Sequence, residues 1–187
     1  MKPWLALAAA VAWAAVAGAA GGSVGRGVSA VPSSSAAVLV GRDSCPPTPG
    51  QRTMDLVNEE RARHGLPPLT ADTLLVRAAR RHAEDMAAHE FISHTGSDGS
   101  DPSQRLDSVG YLWIWVGENV AAGQETPDEV VPGWIRSPAH QANILSPDFV
   151  SAGVAVARNP AAEYVTYWAM VYAAADPPST AVVPCHP

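Results

Sequence analysis

Residues 153–172 read Gly-Val-Ala-Val-Ala-Arg-Asn-Pro-Ala-Ala-Glu-Tyr-Val-Thr-Tyr-Trp-Ala-Met-Val-Tyr, and they decide the fold class. Two runs, 153–158 and 164–172, are rich in Val, Tyr, Thr and Trp, the residues that suit a pleated surface. Asn159-Pro160 and the following Ala-Ala separate them, which is the pattern of a hairpin. Everything upstream has a different period. Over 52–64, Met54, Leu56, Val57 and Ala62 form an apolar stripe at helical spacing, stopped by Gly65 and barred from continuing by Pro67-Pro68. A second helix starts at Thr70 or Asp72, both suitable N-caps, and runs to His89 or Glu90. At about 100° per residue Leu75, Ala79, His82 and Met86 share its buried face, and Arg77, Arg80, Arg81 and Glu84 lie opposite. Residues 93–103 are a polar, Gly-rich loop, 103–109 fit a helical turn, and 111–116 a short extended segment. A third helix fits 127–136, with Thr126 as N-cap and Pro127 at the first helical position. Ser137-Pro138 interrupts it, and a further turn fits 139–145. Helices first and strands last describe an α+β layered domain and not a doubly wound parallel sheet.

Outside this core the chain is simpler. Lys2, an apolar run from Trp4 to Val16 and the small residues 17–20 have the form of a secretory signal peptide, so 1–20 is expected to be removed on export. A retained membrane anchor is the competing reading, though the run is short for a span of about 20 residues. Residues 21–50 are rich in Gly, Ser, Ala and Pro, too poor in apolar side chains to offset chain entropy, and read as a flexible linker. The folded domain is placed at 51–175, and 176–187 is a tail. The formal net charge of −6 comes with no Lys/Arg stripe, which argues against nucleic acid as a partner. Cys45 and Cys185 flank the domain. In an oxidising compartment one disulfide is their simplest use, and free or intermolecular thiols are the alternative.

Three residues outside the apolar stripes stand out. His94 lies where a helix gives way to a loop, Glu118 sits in Gly117-Glu118-Asn119, and His140 follows Ser137-Pro138-Ala139 at a helix start. Two imidazoles and a carboxylate could ligate a divalent metal or hold water if the fold brings them together, but spacing alone does not show that it does. The other histidines read as structural: His64 suits a helix C-terminus, His82 an interior face, and His186 lies in the tail. His89-Glu90 is not a zinc-protease helix motif, because the next histidine is five positions on, about 140° around the helix. No G-x-S-x-G occurs, so nucleophilic catalysis has little support.

Five short segments then occur in order: Phe91-Ile92-Ser93-His94, Gly117-Glu118-Asn119-Val120-Ala121, Trp134-Ile135-Arg136-Ser137-Pro138-Ala139-His140, Asn143-Ile144-Leu145 and Gly153-Val154-Ala155-Val156. Together with Asn58, Arg61 and Gly65-Leu66-Pro67-Pro68-Leu69 they resemble the CAP superfamily (the SCP domain), its bacterial secreted branch above all. The resemblance covers roughly 51–173. It implies a three-layer α-β-α sandwich around a central antiparallel sheet. It also implies a cleft with two histidines and two acidic residues, which in some members binds zinc or another divalent cation. By position His94 and His140 match the two histidines and Glu118 the first acid. The second acid falls on Ser137, so one negative charge is missing. Asn119 and Arg105 either support the cleft, Arg105 by pairing with a carboxylate or backbone carbonyls, or simply brace loops.

Three functions are therefore open. The first is a monomeric, non-catalytic extracellular binding module. Its cleft at His94, Glu118, His140, Ser137 and Asn119 would take a cation on His94 and His140, with a peptide, lipid or glycan in an adjoining groove near Tyr111, Trp113 and Trp115, for which core packing is the competing use. The second is a metal-assisted hydrolase with Glu118 as general base. The third is a structural cell-wall-associated protein. After signal cleavage none of the three needs a membrane.

Overall fold

The computed structural model describes residues 47–174. The leader at 1–20, nearly all of the linker, Cys45, Cys185 and the tail at 176–187 lie outside the described residues. The chain runs α1 (Pro49–Arg63), β1 (Thr70–Ala71), α2 (Thr73–His89), α3 (Pro102–Val109), β2 (Trp115–Ala122), α4 (Pro127–Arg136), α5 (Pro138–Ile144), β3 (Ser151–Arg158) and β4 (Thr166–Ala174).

Local chemistry sets the helix ends. Thr48 and Gln51 form a reciprocal capping box at α1, which starts at Pro49, three residues before the expected start at Arg52. Of the two candidate caps for α2, Asp72 takes the role: its carboxylate accepts from the Leu74 and Leu75 amides at 2.7 and 3.3 Å. Thr70 instead belongs to β1, because its amide donates to the Val150 carbonyl and ties the segment to β3. α2 ends on Glu90 in the left-handed region at φ 57°, the one non-glycine there among the described residues. That reversal turns the chain toward the loop that carries His94.

The strand order is β1-β3-β4-β2. β2, β3 and β4 pair antiparallel, as expected, while the two-residue β1 lies parallel to β3. β4 is buried on both faces over its length except at Ala174. Tyr167, Ala169, Val171 and Ala173 point into a core with α2 and α3. Trp168, Met170 and Tyr172 point into a second core with Met54, Val57, Trp134 and Ile144 of α1, α4 and α5. The result is an α+β sandwich of three layers. Gly153 permits the closest contact: a Cβ there would overlap the Val76 nitrogen, so α2 rests directly on β3.

β2 reaches well beyond the extended segment read at 111–116, as far as Ala122. It is an edge strand, but two of its outward carbonyls are covered. Asn143 of α5 donates to the Glu118 carbonyl at 3.0 Å, and the Trp134 indole of α4 to that of Val120 at 3.3 Å. Such covers suppress pairing of an edge strand with another chain.

Candidate functional site

The pleat of β2 sends Glu118 and Asn119 to opposite faces. Glu118 enters the layer of α2 and α3, where its side chain is 1% exposed. Burying a carboxylate without partners is prohibitive, and here both oxygens are engaged. Oε1 accepts from Nδ1 of His94 at 2.9 Å, and Oε2 from the Arg105 guanidinium at 2.7 Å. Arg105, itself buried, also donates to the carbonyls of His94 and Ser100, so it neutralises the acid and holds the loop that supplies its imidazole. Arg105 thus pairs with a carboxylate and also braces the loop through backbone carbonyls, the two uses left open for it.

A second imidazole approaches Glu118 from the interior face of α2 without bonding to it. His82 is fully buried, its Nε2 is 2.7 Å from the Ser93 carbonyl, and the same nitrogen stands 3.7 Å from Glu118 Oε1. Nε2 must carry the proton to donate to a carbonyl, which fixes the neutral tautomer. Burial lowers the affinity of His82 for a second proton, with Glu118 opposing and Arg105 assisting that shift. A polar side chain inside an apolar helical stripe was the available sequence signal. Its partner, 36 positions downstream, was not.

On the other face Asn119 donates to the His140 carbonyl at 3.1 Å and the Tyr172 hydroxyl at 3.0 Å, and accepts from Asn143 at 2.9 Å. This places the first turn of α5, and with it His140, against β2. Gly117 makes room: a Cβ there would lie 2.7 Å from the Phe149 ring and 2.9 Å from Asn143 Oδ1. Ser137 is the joint between α4 and α5 and brings no charge.

Two of the three marked residues therefore touch. His94 and Glu118 form a direct pair, and both line an open pocket of about 400 Å³ with Val116, Gly117 and the start of α3; His140 does not line it. His140 is coupled to His94 through charge. Burial and then the His94 charge lower its proton affinity. His94 shifts the other way: its hydrogen bond to Glu118 raises its pKa above the ordinary imidazole value, against the pull of burial and Arg105. Its side chain is 55% exposed, so with Nδ1 on Glu118 the Nε2 edge is the one open to a ligand.

As a metal site this donor set is short. Among the described residues no three His, Cys, Asp or Glu side chains are grouped to hold an ion. Glu118 is committed to Arg105 and His94, leaving Nε2 of His94 and the His140 ring, against the three or four protein ligands usual for zinc.

The fold and these motifs belong to a known class of domain. The model of the cysteine-rich secretory protein (CAP) family matches residues 54–172, more than half of the chain, and the protein belongs to that family. The uncharacterized protein YkwD of Bacillus subtilis (strain 168) is 38% identical over 104 residues, 56% of this chain and 40% of the relative. The uncharacterized membrane protein YlbC of the same organism is 31% identical over 111 residues, 59% of this chain and 32% of that one. The chain thus spans less than half the length of either. Among solved structures, an extracellular protein containing an SCP domain from Bacillus anthracis str. Ames aligns with a TM-score of 0.60 at 27% identity, covering 67% of this chain and 40% of that one. An outer surface protein from Borrelia burgdorferi aligns at 0.59 and 22% identity, over 64% and 87% of the two chains, and shows the shared fold. Among the described residues no helix is long and apolar enough to cross a membrane.

Proposed function

We propose that this protein is a non-catalytic extracellular binding module whose ligand enters the pocket at His94 and Glu118. The state of Glu118 carries the reading. A general base needs a lone pair directed at the proton it removes. Both oxygens of this carboxylate face inward, one to His94 and one to Arg105, on a side chain with almost no exposure. What the pocket offers a ligand instead is the Nε2 edge of His94, poised to donate as imidazolium, beside Val116 and the α3 start. The extracellular setting rests on the leader-like N-terminus and on the extracellular and outer-surface descriptions of the aligned structures. A divalent cation fits as a weakly held guest of His94 and His140. Glu118 would then orient the His94 ring from behind, the usual place of a carboxylate next to a ligating histidine.

The test is a broad peptide and ester panel, with and without Zn²⁺, on the full chain and on Glu118→Gln. No turnover above buffer in either protein is the expected result. Turnover by the native chain that Glu118→Gln abolishes would establish the hydrolase and overturn the binding reading. Zinc titration of the same samples should show weak stabilisation that His94→Ala and His140→Ala remove.

A further inference from the structure

A second cavity, of about 310 Å³, lies between α2 and the loop at 96–100 and shares no lining residue with the pocket at His94. That volume is at the lower end of the range for small-molecule sites. Its wall is unlike the aromatic strip expected to line a groove, where Trp113 and Trp115 are exposed and Tyr111 is buried in the core. Of the nine residues around the cavity only Ala88 lacks a polar side chain. The wall is also fixed in advance. The Gly96 amide donates to the Ser100 carbonyl at 2.8 Å and the Gly99 amide to the Gly96 carbonyl at 2.9 Å, closing the loop on itself. The Ser97 amide and hydroxyl donate to Asp85 of α2, and Arg81 of α2 donates to Asp98 at 3.0 Å, so the loop is pinned to the helix at two points. A wall that is ordered beforehand loses little entropy when a ligand binds.

Two nitrogens of this wall lack a partner within the protein. They are His82 Nδ1 and Arg105 Nε, and among the described residues no other buried side-chain nitrogen is left so. Both residues line the cavity, His82 at 0% and Arg105 at 2% exposure. Folded proteins rarely leave such atoms unsatisfied. The chemistry of the pair specifies what would satisfy it. His82 donates to the Ser93 carbonyl through Nε2, so Nδ1 of the neutral ring is an acceptor. Arg105 Nε carries a hydrogen and can only donate. The missing partner must therefore both donate and accept, which a hydroxyl does from a single oxygen. A phosphate dianion or a carboxylate cannot donate, and an ammonium group or a metal ion cannot accept. Charge at the rim points the same way. Glu84, Asp85 and Asp98 outnumber Arg81 and repel an anion, while Arg105 is already neutralised by Glu118. A carboxylate has about four lone-pair sites, so Asp85 and Asp98 can each take a further hydroxyl beside the donors they already hold.

We infer that this cavity is a binding site for a neutral polyhydroxyl molecule, a sugar ring or an acyclic polyol, whose hydroxyls engage His82 Nδ1 and Arg105 Nε and the carboxylates of Asp85 and Asp98. The inference does not rest on the reading of the His94 pocket, since neither the exposed edge of His94 nor any residue lining that pocket takes part.

NMR titration of the full chain tests it, read at the His82 ring nitrogens, the Arg105 Nε–H and the amides of residues 96–100. The probes are glucose, N-acetylglucosamine and glycerol, with inorganic phosphate and methylammonium as charged controls. Ala88 is exposed on α2 beside the cavity, so Ala88→Leu narrows the space without entering either core, and unchanged amide signals from β2, β3 and β4 verify the fold. The expected result is saturable shifts with at least one neutral probe, an affinity lowered about tenfold or more in Ala88→Leu, and no saturable response to the charged controls. A response to the sugars alone identifies a ring as the ligand, and a response to glycerol alone an acyclic polyol. Shifts that do not saturate, or that are the same in Ala88→Leu, would show a recess holding solvent or an adventitious additive only and would overturn the inference. Saturable binding of phosphate or methylammonium at these atoms would overturn it as well, by assigning the cavity to a charged ligand.

Discussion

Replacing Arg105 by Met removes the cation from the most deeply buried ion pair of the site. Arg105 is 2% exposed and Glu118 1% by side chain, at 2.7 Å, so water cannot take over the role of the guanidinium. Breaking one side of such a pair costs about 3–5 kcal/mol, because a charge is left without its partner. The His94 and Ser100 carbonyls also lose a donor, but they belong to the loop, where water can replace it. We expect Arg105→Met to lose about 3–4 kcal/mol at pH 7, leaving most domains of this size still folded. Glu118→Gln in the same chain removes the stranded charge, so the double variant should recover about 2 kcal/mol or more of that loss. Urea unfolding of the native chain, both single variants and the double variant provides the cycle, with constant m-values as the check on two-state behaviour. A single-variant loss below about 1 kcal/mol, or a double variant whose loss equals the sum of the singles, would refute the argument that Arg105 is what allows Glu118 to be buried.

Other consequences arise from the same contacts. The raised pKa of His94 means its pair with Glu118 contributes fully below the ordinary imidazole value of about 6.5 and is lost as pH rises through the raised value. The stability difference between the native chain and His94→Gln should therefore be largest near pH 6 and shrink above neutrality, as thermal melts across that range will show. Gly153→Ala drives a Cβ into the Val76 nitrogen, and only displacement of α2 can relieve it; expect a loss of about 3 kcal/mol or more by chemical denaturation, or no soluble protein. Glu90→Gly relieves the left-handed cap at φ 57° and should stabilise by about 0.5–1 kcal/mol after the added chain entropy is counted, measurable as a raised denaturation midpoint.

The parts of this structure that could be read from sequence are those specified locally. α4 begins at Pro127 behind Thr126 as its cap and proline required, and α2 follows its apolar stripe. The hairpin of β3 and β4 was legible in Val, Thr, Tyr and Trp. The third layer was not legible in the residues themselves and came only from the family resemblance; β4, buried on both faces, shows why it is needed. β2 was only half legible. Gly117, Glu118 and Asn119 are poor strand formers, and they sit in a strand because β4, Arg105, His94 and Asn143 supply their hydrogen bonds from far along the chain. The site shows the same division. His94 and Glu118 could be marked as residues, but the inward commitment of Glu118, the contribution of His82 and the indirect coupling of His140 depend on which face of β2 each side chain takes. The cysteine pairing, the leader and the tail lie outside the described residues.

The central claim is that Glu118 faces inward, fixing Nδ1 of His94 and leaving Nε2 to the ligand. Imidazole ¹⁵N NMR of His94 across a pH titration measures this directly. The account predicts a neutral ring protonated at Nδ1, a pKa above about 6.5, and a fall toward that value in Glu118→Gln. A His94 that titrates alike in both proteins, or carries its neutral-form proton on Nε2, would contradict it.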